Sequence, residues 1–208
     1  PIPVLTDVTG AYPMDIDGDD LLDLVVLRAG PNGVLRGEGQ CRFSPAPPEW
    51  GFDGGNAWTT AFTATFEPGE TWPTLVFGNY VDETNPKGPF EACDNNAILR
   101  PKGRAFAAPL ALEPGFCALS MLISDWRRNG VPDLRISNDR QYYVRKGREQ
   151  MFHLRPLAEY TEAEGWPTLR LWGMGIASRD ITGDGLPEVM LTSMGDQVLM
   201  WNKGNGVM

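Results

Sequence analysis

A nine-residue loop recurs four times along the chain, and each copy leads into a run of β-forming residues. The copies occupy residues 15–23, 66–74, 125–133 and 180–188, at intervals of 51, 59 and 55 residues. Pro73, Pro132 and Pro187 all stand at position eight of their loops. A repeat of this period in a chain of 208 residues indicates a fold assembled from similar supersecondary units.

Each repeat contains four short β-rich segments. One segment enters the loop and a second leaves it, as at 61–66 and 75–78. Third segments follow at 33–36, 96–100, 141–145 and 197–201, and fourth segments at 40–43 and 150–154. The chain has 24 Gly and 18 Pro, so we expect no long helix, and residues 158–164 offer one or two turns at most.

Four short strands in each unit of about 50 residues are typical of a β-propeller blade. We therefore expect an all-β chain in which residues 1–208 form a single β-propeller, or a segment of one, from four-stranded antiparallel blades. Residues 4–8 look like a closing strand, which either completes the fourth unit in a closed ring of four blades or belongs to an earlier blade. An all-β sandwich with acidic turns is the alternative, but it does not explain why the loop recurs in step with the strands.

The first loop carries oxygen-bearing side chains at positions one, three, five and nine. These are Asp15, Asp17, Asp19 and Asp23, and the Leu21 carbonyl stands at position seven. Alternate oxygen ligands followed by a terminal carboxylate resemble the first half of an EF-hand loop, and such a ligand set favours Ca²⁺. Four carboxylates at this spacing repel one another without a cation. The sequence therefore predicts a calcium site in the first loop.

The fourth loop repeats the pattern with one carboxylate fewer. Its ligand positions are Asp180, Thr182, Asp184 and Glu188, and the Leu186 carbonyl stands at position seven. Because affinity for Ca²⁺ depends on the number of charged ligands, we expect a second calcium site with lower affinity than the first.

The third loop has Arg127 at position three, where a ligand oxygen is needed. A guanidinium is always charged and has no acceptor, so it cannot share a small pocket with a cation. We expect either that Arg127 swings out and the site stays vacant, or that its guanidinium bridges Asp125 and Asp133 in place of a metal.

The second loop has Phe66, Pro68 and Thr74 at ligand positions, and we expect it to hold no metal. A turn in which Asp or Asn side chains accept hydrogen bonds from nearby backbone amides is the alternative interpretation of all four loops. On the residues alone, this alternative fits the second loop well and the first loop poorly.

Composition and missing motifs argue against several functional classes. The net charge of −9 argues against nucleic-acid binding, because phosphate recognition needs clustered Lys and Arg. No apolar run approaches the length of a membrane span, so we expect no membrane insertion. His153 is the single histidine, and we expect a structural role for it. Since no nucleophile elbow, Walker loop or dinucleotide fingerprint occurs, the sequence predicts no enzyme. We expect tryptophans such as Trp50, Trp58, Trp72, Trp126 and Trp172 to pack between units.

Three cysteines, Cys41, Cys93 and Cys117, cannot all pair within the chain. One disulfide with a free thiol competes with three buried thiols as the interpretation. Cys93 and Cys117 belong to neighbouring units and are the expected pair, which leaves Cys41 as the expected free thiol.

At its loops the chain resembles the FG-GAP/VCBS-type repeats of the integrin α-subunit propeller, and more closely the bacterial cartilage-acidic-protein-like family. Segments beside the loops look like that family's signatures: Gly78-Asn-Tyr-Val81, Ser124-Asp-Trp126, Ser137-Asn-Asp-Arg140 and residues 172–178. The resemblance covers nearly the whole chain and implies a seven-bladed propeller in a longer, exported protein with calcium in several blades. It implies ligand roles for Asp15, Asp17, Asp19, Asp23, Asp180, Asp184 and Glu188, whereas Phe66, Pro68 and Arg127 depart from the family pattern.

Three functional hypotheses follow. The first is a calcium-stabilised module, secreted, periplasmic or on the cell surface, that recognises a protein or carbohydrate ligand. The second is an accessory structural subunit of a larger cell-envelope assembly, which a large exposed apolar patch on one face supports. The third is an enzyme with its site in the propeller channel, which a funnel holding an acidic pair apart from the calcium loops would support.

Overall fold

The structure is a computed structural model that describes residues 4–139, 144–204 and 206–208. Within these ranges the chain is all-β with antiparallel sheets, and its only helical elements there are single 3₁₀ turns at Pro48–Trp50 and Glu162–Glu164. The predicted all-β class with antiparallel sheets is confirmed, and the described residues contain no long helix, as predicted. No helix in the described ranges is long and apolar enough to cross a membrane.

Fifteen strands in the described ranges form four consecutive units. The first unit contains β1 (Val8–Met14), β2 (Asp23–Pro31), β3 (Gly33–Gly37) and β4 (Phe43–Pro45). The second contains β5 (Asn56–Thr65), β6 (Thr74–Asn79), β7 (Asn96–Leu99) and β8 (Leu110–Leu112). The third contains β9 (Ala118–Ser124), β10 (Asp133–Asn138), β11 (Gln150–His153) and β12 (Ala158–Glu159). The fourth contains β13 (Gly173–Arg179), β14 (Glu188–Ser193) and β15 (Val198–Met200).

Each unit is an antiparallel meander in which consecutive strands are neighbours. Ala29 of β2 also pairs with Trp58 of β5, which joins the first two units into one eight-stranded sheet. The third unit forms a four-stranded sheet, and the fourth forms a three-stranded sheet.

The four repeat loops occupy one equivalent place, the connection between the first and second strands of a unit. Position nine of each loop is the first residue of the second strand: Asp23, Thr74, Asp133 and Glu188. The repeat read from the sequence is therefore a structural repeat, and β9 has the bounds 118–124 that the sequence predicts.

A separate apolar cluster lies at each junction between consecutive units. Side chains alternate between the two faces of a strand, so β6 contributes Leu75 and Phe77 to the first cluster and Val76 to the second. The third cluster brings Met151 of β11 together with Val189 of β14. Three cores thus stack the four units in chain order.

Tryptophans fill much of these junctions. Trp50, Trp72 and Trp126 are 5%, 2% and 3% exposed, and the rings of Trp50 and Trp72 meet edge to face at 5.0 Å. The predicted packing role is confirmed for these three, while Trp58 and Trp172 are only partly buried.

Cys93 and Cys117 form a disulfide with a Cα separation of 4.9 Å. Cys41 is an exposed free thiol. Both cysteine predictions are confirmed, and the disulfide ties the second unit to the residue that precedes β9.

The fourth strand of the first unit is Phe43–Pro45 rather than residues 40–43, and the predicted strand order of the third unit is wrong. The sequence predicts residues 150–154 as a fourth strand, but β11 pairs directly with β10 as the third strand of its sheet, and β12 lies outside it. Of the predicted third segment, residues 141–143 lie outside the described residues, and 144–145 form no strand. Burial explains why β11 is the strand that pairs with β10, because its residues Met151 and Phe152 are at most 4% exposed.

Residues 4–7 do not form a closing strand. Val4 is 94% exposed, and the Asp7 carbonyl accepts the Ala29 amide of β2 at 2.8 Å, which holds this segment against the first unit. The sheets are open, and within the described ranges no strand pairing joins the fourth unit to the first. A closed ring is therefore not part of the described architecture.

Candidate metal centres in the repeat loops

The four repeat loops lie at one end of the sheets, which we call the loop face. Ile16 of the first loop and Trp72 of the second belong to one apolar cluster. Just before the second and third loops, the Thr63 hydroxyl accepts the Ile123 amide at 3.3 Å. The Arg128 side chain of the third loop donates to the backbone of the fourth loop at 2.8 Å. Consecutive loops are therefore neighbours.

Local backbone amides shape the first loop. Asp15 Oδ1 accepts the Gly18 amide at 2.8 Å and Oδ2 accepts the Asp20 amide at 3.0 Å. Asp19 Oδ1 accepts the Leu21 amide at 2.9 Å. One oxygen each from Asp15, Asp17 and Asp19 lies within 4.8 Å of the other two. The structure thus brings together three of the four carboxylates that the sequence singles out.

Arg36, at the end of β3, contacts two of these carboxylates. Its Nε donates to Asp17 Oδ2 at 2.9 Å, and its Nη2 donates to Asp19 Oδ2 at 2.6 Å. The Asp17 side chain is only 7% exposed, and its Oδ1 is buried with no hydrogen-bond partner in the described part of the chain. One guanidinium is therefore the described counter-charge for a group of three carboxylates. It leaves one buried oxygen, Asp17 Oδ1, without a hydrogen-bond partner among the described residues.

Asp23 anchors the backbone and lies outside the group of three. It is fully buried, and its two oxygens accept the Ile16 and Gly37 amides at 2.8 and 2.9 Å. Burial raises the pKa of Asp23 despite these bonds, and the charges of Asp17 and Asp19 raise it further. Close approach fixes this corner, because a Cβ on Gly37 would lie 2.3 Å from the Leu22 carbonyl oxygen.

The fourth loop repeats the amide bonds of the first. Asp180 accepts the Gly185 and Gly183 amides at 2.8 and 2.7 Å, and these bonds, chiefly that of Gly185, lower the pKa of Asp180. Asp184 Oδ1 accepts the Leu186 amide at 2.8 Å. The position-one and position-five side chains therefore play the same local role in both loops.

Position nine of the fourth loop carries an unsatisfied oxygen. Glu188 is 2% exposed; its Oε2 accepts the Ile181 amide at 2.9 Å, and its Oε1 has no partner among the described residues. The Thr182 hydroxyl lies 3.4 Å from Asp180 Oδ1. The described residues show a close group of three carboxylates only in the first loop, so the fourth loop is the more open arrangement.

The third loop places its arginine against the position-nine carboxylate. Asp133 Oδ2 accepts Trp126 Nε1 at 2.7 Å and the Tyr160 hydroxyl at 2.9 Å, and it lies 3.1 Å from Arg127 Nη2. No described contact joins Arg127 to Asp125. The second expected outcome, a guanidinium that bridges Asp125 and Asp133, is therefore seen only in part. Arg127 pairs with Asp133 but has no described contact with Asp125.

The second loop is held by ion pairs. Glu67 is 3% exposed and pairs with Arg100 and Arg155, while the Thr74 hydroxyl donates to it at 2.5 Å. Burial raises the pKa of Glu67, but the hydrogen bonds from Thr74, Arg155 and Arg100 and the charge of Arg100 outweigh it and lower the pKa overall. Two guanidinium groups thus supply the positive charge in this loop.

The residue opposite loop position nine is a basic side chain in three of the four units. The Leu24–Leu35 and Leu75–Leu99 pairs, extended by one residue, place Arg36 opposite Asp23 and Arg100 opposite Thr74. In the third unit, Asp133 pairs directly with His153. In the fourth unit the equivalent residue is Trp201, which is 50% exposed. Sequence reasoning missed this position, although the arginines that end the segments 33–36 and 96–100 were the available signal.

His153, for which the sequence predicts a structural role, lies between two carboxylates. Its Nε2 is 2.8 Å from Glu164 Oε1, and its Nδ1 is 3.5 Å from Asp133 Oδ1. Its ring stacks on Tyr160 with centroids 3.7 Å apart. The bond to His153, followed by bonds from Thr161, lowers the pKa of Glu164 to about 2.

The sequence favours turns in which a side chain accepts backbone amides in the second loop rather than in the first. The structure shows the reverse. Asp125 accepts the Asn129 and Gly130 amides at 3.0 and 2.8 Å, just as Asp15 and Asp180 accept amides in their loops. No such bond is described in the second loop. Local turn bonds therefore shape the first, third and fourth loops, and a ligand pattern and a turn pattern coexist in the same residues.

Comparison with known proteins gives no family. No family model matches the chain, and no curated protein is similar to it. Similar solved structures include BBS1N in complex with ARL6DN soaked with mercury (TM-score 0.46, 12% identity) and the same complex soaked with lead (TM-score 0.44, 11% identity). Each match covers 97% of this chain, which spans 66% and 68% of those chains. A likeness this distant carries no functional argument.

The resemblance to the FG-GAP/VCBS repeats and the cartilage-acidic-protein-like family is wrong. No family model matches the chain, and the described sheets are open and separate. The physical reason lies in the loops: alternate Asp and Gly residues also make a tight turn between antiparallel strands, where the Asp side chains accept backbone amides.

Proposed function

We propose that this chain is a calcium-stabilised binding module without catalytic activity. The observation that carries the proposal is the Asp17 carboxylate, which is 7% exposed and keeps one buried oxygen without a partner among the described residues. That oxygen belongs to a side chain grouped with Asp15 and Asp19 within the span of a single cation.

Calcium binding would give the buried Asp17 oxygen a partner and would offset the repulsion between the three carboxylates. A buried polar atom without a partner costs about 1–3 kcal/mol, and more when it is charged. Arg36 brings one positive charge to three carboxylates, whereas Ca²⁺ brings two and prefers oxygen ligands. In the proposed site Asp15, Asp17, Asp19 and the Leu21 carbonyl hold the ion, and Asp23 fixes the backbone around it.

The fourth loop is the second proposed calcium site. Its buried Glu188 oxygen also lacks a partner in the described ranges, and Trp201 stands where the other units carry a basic side chain. The proposed ligands are Asp180, Thr182, Asp184, the Leu186 carbonyl and Glu188.

We propose that the units are arranged radially, as β-propeller blades. Their first strands lie side by side: β5 packs against β9, and β9 against β13. The Thr60 hydroxyl of β5 donates to the Ala118 carbonyl of β9 at 2.6 Å. Three successive junction cores support the same arrangement.

We place the module outside the cytosol, as a secreted, periplasmic or cell-surface protein. The Cys93–Cys117 disulfide supports this, because disulfides persist mainly in oxidising compartments. Its proposed ligand is a protein or carbohydrate bound to the rigid surface of the units.

A structural subunit of a larger envelope assembly is the second candidate function. Apolar side chains are exposed on the loop face: Leu22 at 59%, Ile181 at 55%, Phe66 at 53% and Val131 at 43%. Exposed apolar side chains gathered on one face favour a permanent protein neighbour.

Thermal melting with and without Ca²⁺ tests the leading proposal. At about 100 times Kd, one calcium site adds about 2.7 kcal/mol, which raises the melting temperature by about 5–10 °C for a chain of this size. Asp17→Asn should remove most of the shift due to the first loop. Asp125→Asn, a loop carboxylate outside both sites, should leave the shift unchanged. Equal shifts in both variants, or no shift in the wild type, would rule out the site.

A further inference from the structure

Two adjoining cavities form a cleft at the end of the sheets opposite the loop face. The larger has a volume of about 380 Å³ and the smaller about 300 Å³, and they share four lining residues: Trp58, Val81, Asp82 and Glu83. Tyr80 lines the smaller cavity, and Asp94 lines the larger. We call the two cavities together the acid–aromatic cleft.

Aromatic rings form one wall of this cleft. The rings of Trp58 and Tyr80 meet edge to face, with centroids 5.0 Å apart and an interplanar angle of 82°. Both side chains are partly exposed. The floor is built from small residues, since Ala29, Gly30 and Ala57 also line the larger cavity, and a Cβ placed on Gly30 would meet nothing within 4 Å.

The charges in the cleft are all negative. Asp82, Glu83 and Asp94 line it, and neither lining includes a Lys or Arg among the described residues. Burial raises the pKa of Asp94, and the charge of Asp82 raises it further, which places the two carboxylates in each other's field. A concave site lined by one sign of charge concentrates ligands of the opposite sign.

The backbone that carries these carboxylates is held in place. The Asp82 amide donates to the Ala92 carbonyl at 2.7 Å, and the Asp94 amide donates to the Tyr80 carbonyl at 2.8 Å. Between these bonds, Cys93 forms the disulfide to Cys117. Asp82 and Asp94 therefore lie on two paired segments, one of which is tied by the disulfide to the residue before β9.

We propose that the acid–aromatic cleft binds an organic cation, the side-chain ammonium of a lysine on a partner protein. An ammonium packed against the Trp58 ring gains a cation–π interaction, and Asp82 and Asp94 neutralise its charge. This site lies apart from the loop face, and it does not depend on calcium binding there.

Titration with Nα-acetyl-lysine methylamide, followed by the NMR shift of the Trp58 indole N–H, tests the cleft directly. The neutral analogue acetylated on Nε has a similar shape without the charge and should bind at least about fivefold more weakly, as expected for the loss of a cation–π contact with its ion pair. Equal binding of the two compounds would overturn the proposal.

Asp94→Asn should weaken binding of the lysine compound about fivefold. Trp58→Leu should also weaken it, because the variant loses the cation–π interaction with the ammonium. Asp196→Asn, an exposed carboxylate in the fourth unit, is the matched control and should bind like the wild type. Because the two compounds are compared on the unaltered protein, a variant that fails to fold does not decide the outcome. Displacement of the lysine compound by equimolar Ca²⁺ would instead make the cleft a metal site.

A peptide with a single lysine identifies the source of the cation. Binding at least as tight as that of the small compound supports a protein partner. If the small compound binds and the peptide does not, the cleft belongs to free amines, and a protein source is excluded.

Discussion

The guanidinium of Arg36 contacts Asp17 and Asp19, two of the carboxylates that we propose as calcium ligands. Like charges a few ångströms apart repel strongly in a partly dry site. In the proposed calcium site, Arg36 must therefore release at least one of these carboxylates before the ion binds, and the arginine would compete with the ion.

Arg36→Gln should therefore separate the two effects of Arg36, namely stabilisation of the calcium-free loop and competition with calcium. The calcium-free protein should melt at a lower temperature, because Asp17 and Asp19 lose their counter-charge. Calcium should bind about fivefold more tightly, as expected when an ion pair of about 1 kcal/mol no longer competes. Isothermal titration calorimetry measures the affinity, and Arg42→Gln, in the same unit but without a described side-chain ion pair, is the control. Unchanged affinity would show that Arg36 and calcium do not share the site.

Glu67 gives stability a defined pH dependence. Its folded-state pKa lies below its ordinary value of 4.5, so the unfolded chain binds the proton more readily and the charged form stabilises the fold. This contribution is fully present above about pH 4.5 and is lost as the pH falls through the folded-state pKa. Glu67→Gln should cost about 1–3 kcal/mol at neutral pH, and the difference from the wild type should shrink in acid. Urea unfolding at pH 7 and pH 3 measures it, and a constant difference would contradict the assignment.

At the scale of elements, three of the four loops share one set of backbone bonds. Asp15, Asp125 and Asp180 each accept two or more amides of their own loops. The backbone of the third loop is thus built like that of the first. The difference that matters for metal binding is position three, which is Asp17 in one loop and Arg127 in the other.

Arg127→Asp should convert the third loop into a calcium site. The substitution removes the guanidinium from Asp133 and adds a carboxylate where the first loop has Asp17. The calcium-free variant should be less stable than the wild type, and its calcium-induced melting shift should be larger. Arg127→Leu removes the charge without adding a ligand, so its calcium shift should stay at the wild-type value. If both variants respond alike, position three does not control binding.

The recurring loop and the β-forming runs beside it made most elements predictable from the sequence, and the third unit shows the limit of this reasoning. Residues 118–124 have the bounds that the sequence predicts. The sequence predicts residues 150–154 one strand too far out in the sheet, because residues 141–145 have an equally strong β pattern. Which segment pairs with β10 depends on the burial of Met151 and Phe152 against other units, and no local pattern records that.

At the scale of the whole molecule, the stacking of similar units was predictable from the repeat along the chain. The repeat also placed Cys93 and Cys117 in neighbouring units, although spacing alone does not fix their pairing. The acid–aromatic cleft was not, since Trp58, Asp82 and Asp94 come from the second unit and Ala29 and Gly30 from the first. These two sets of residues meet only when β2 pairs with β5. Ring closure also depends on contacts between the first and last units, and the repeat alone does not encode them.

Calorimetric titration of the whole chain with Ca²⁺ tests the central claim most directly, because it counts the sites. We expect two ions per chain, falling to one in Asp17→Asn and to one in Asp184→Asn, with Asp125→Asn unchanged at two. The remaining ion in each variant should keep its own affinity, since the loops are separate sites. Absence of calcium binding, or a stoichiometry that neither Asp17→Asn nor Asp184→Asn alters, would contradict calcium stabilisation through the repeat loops.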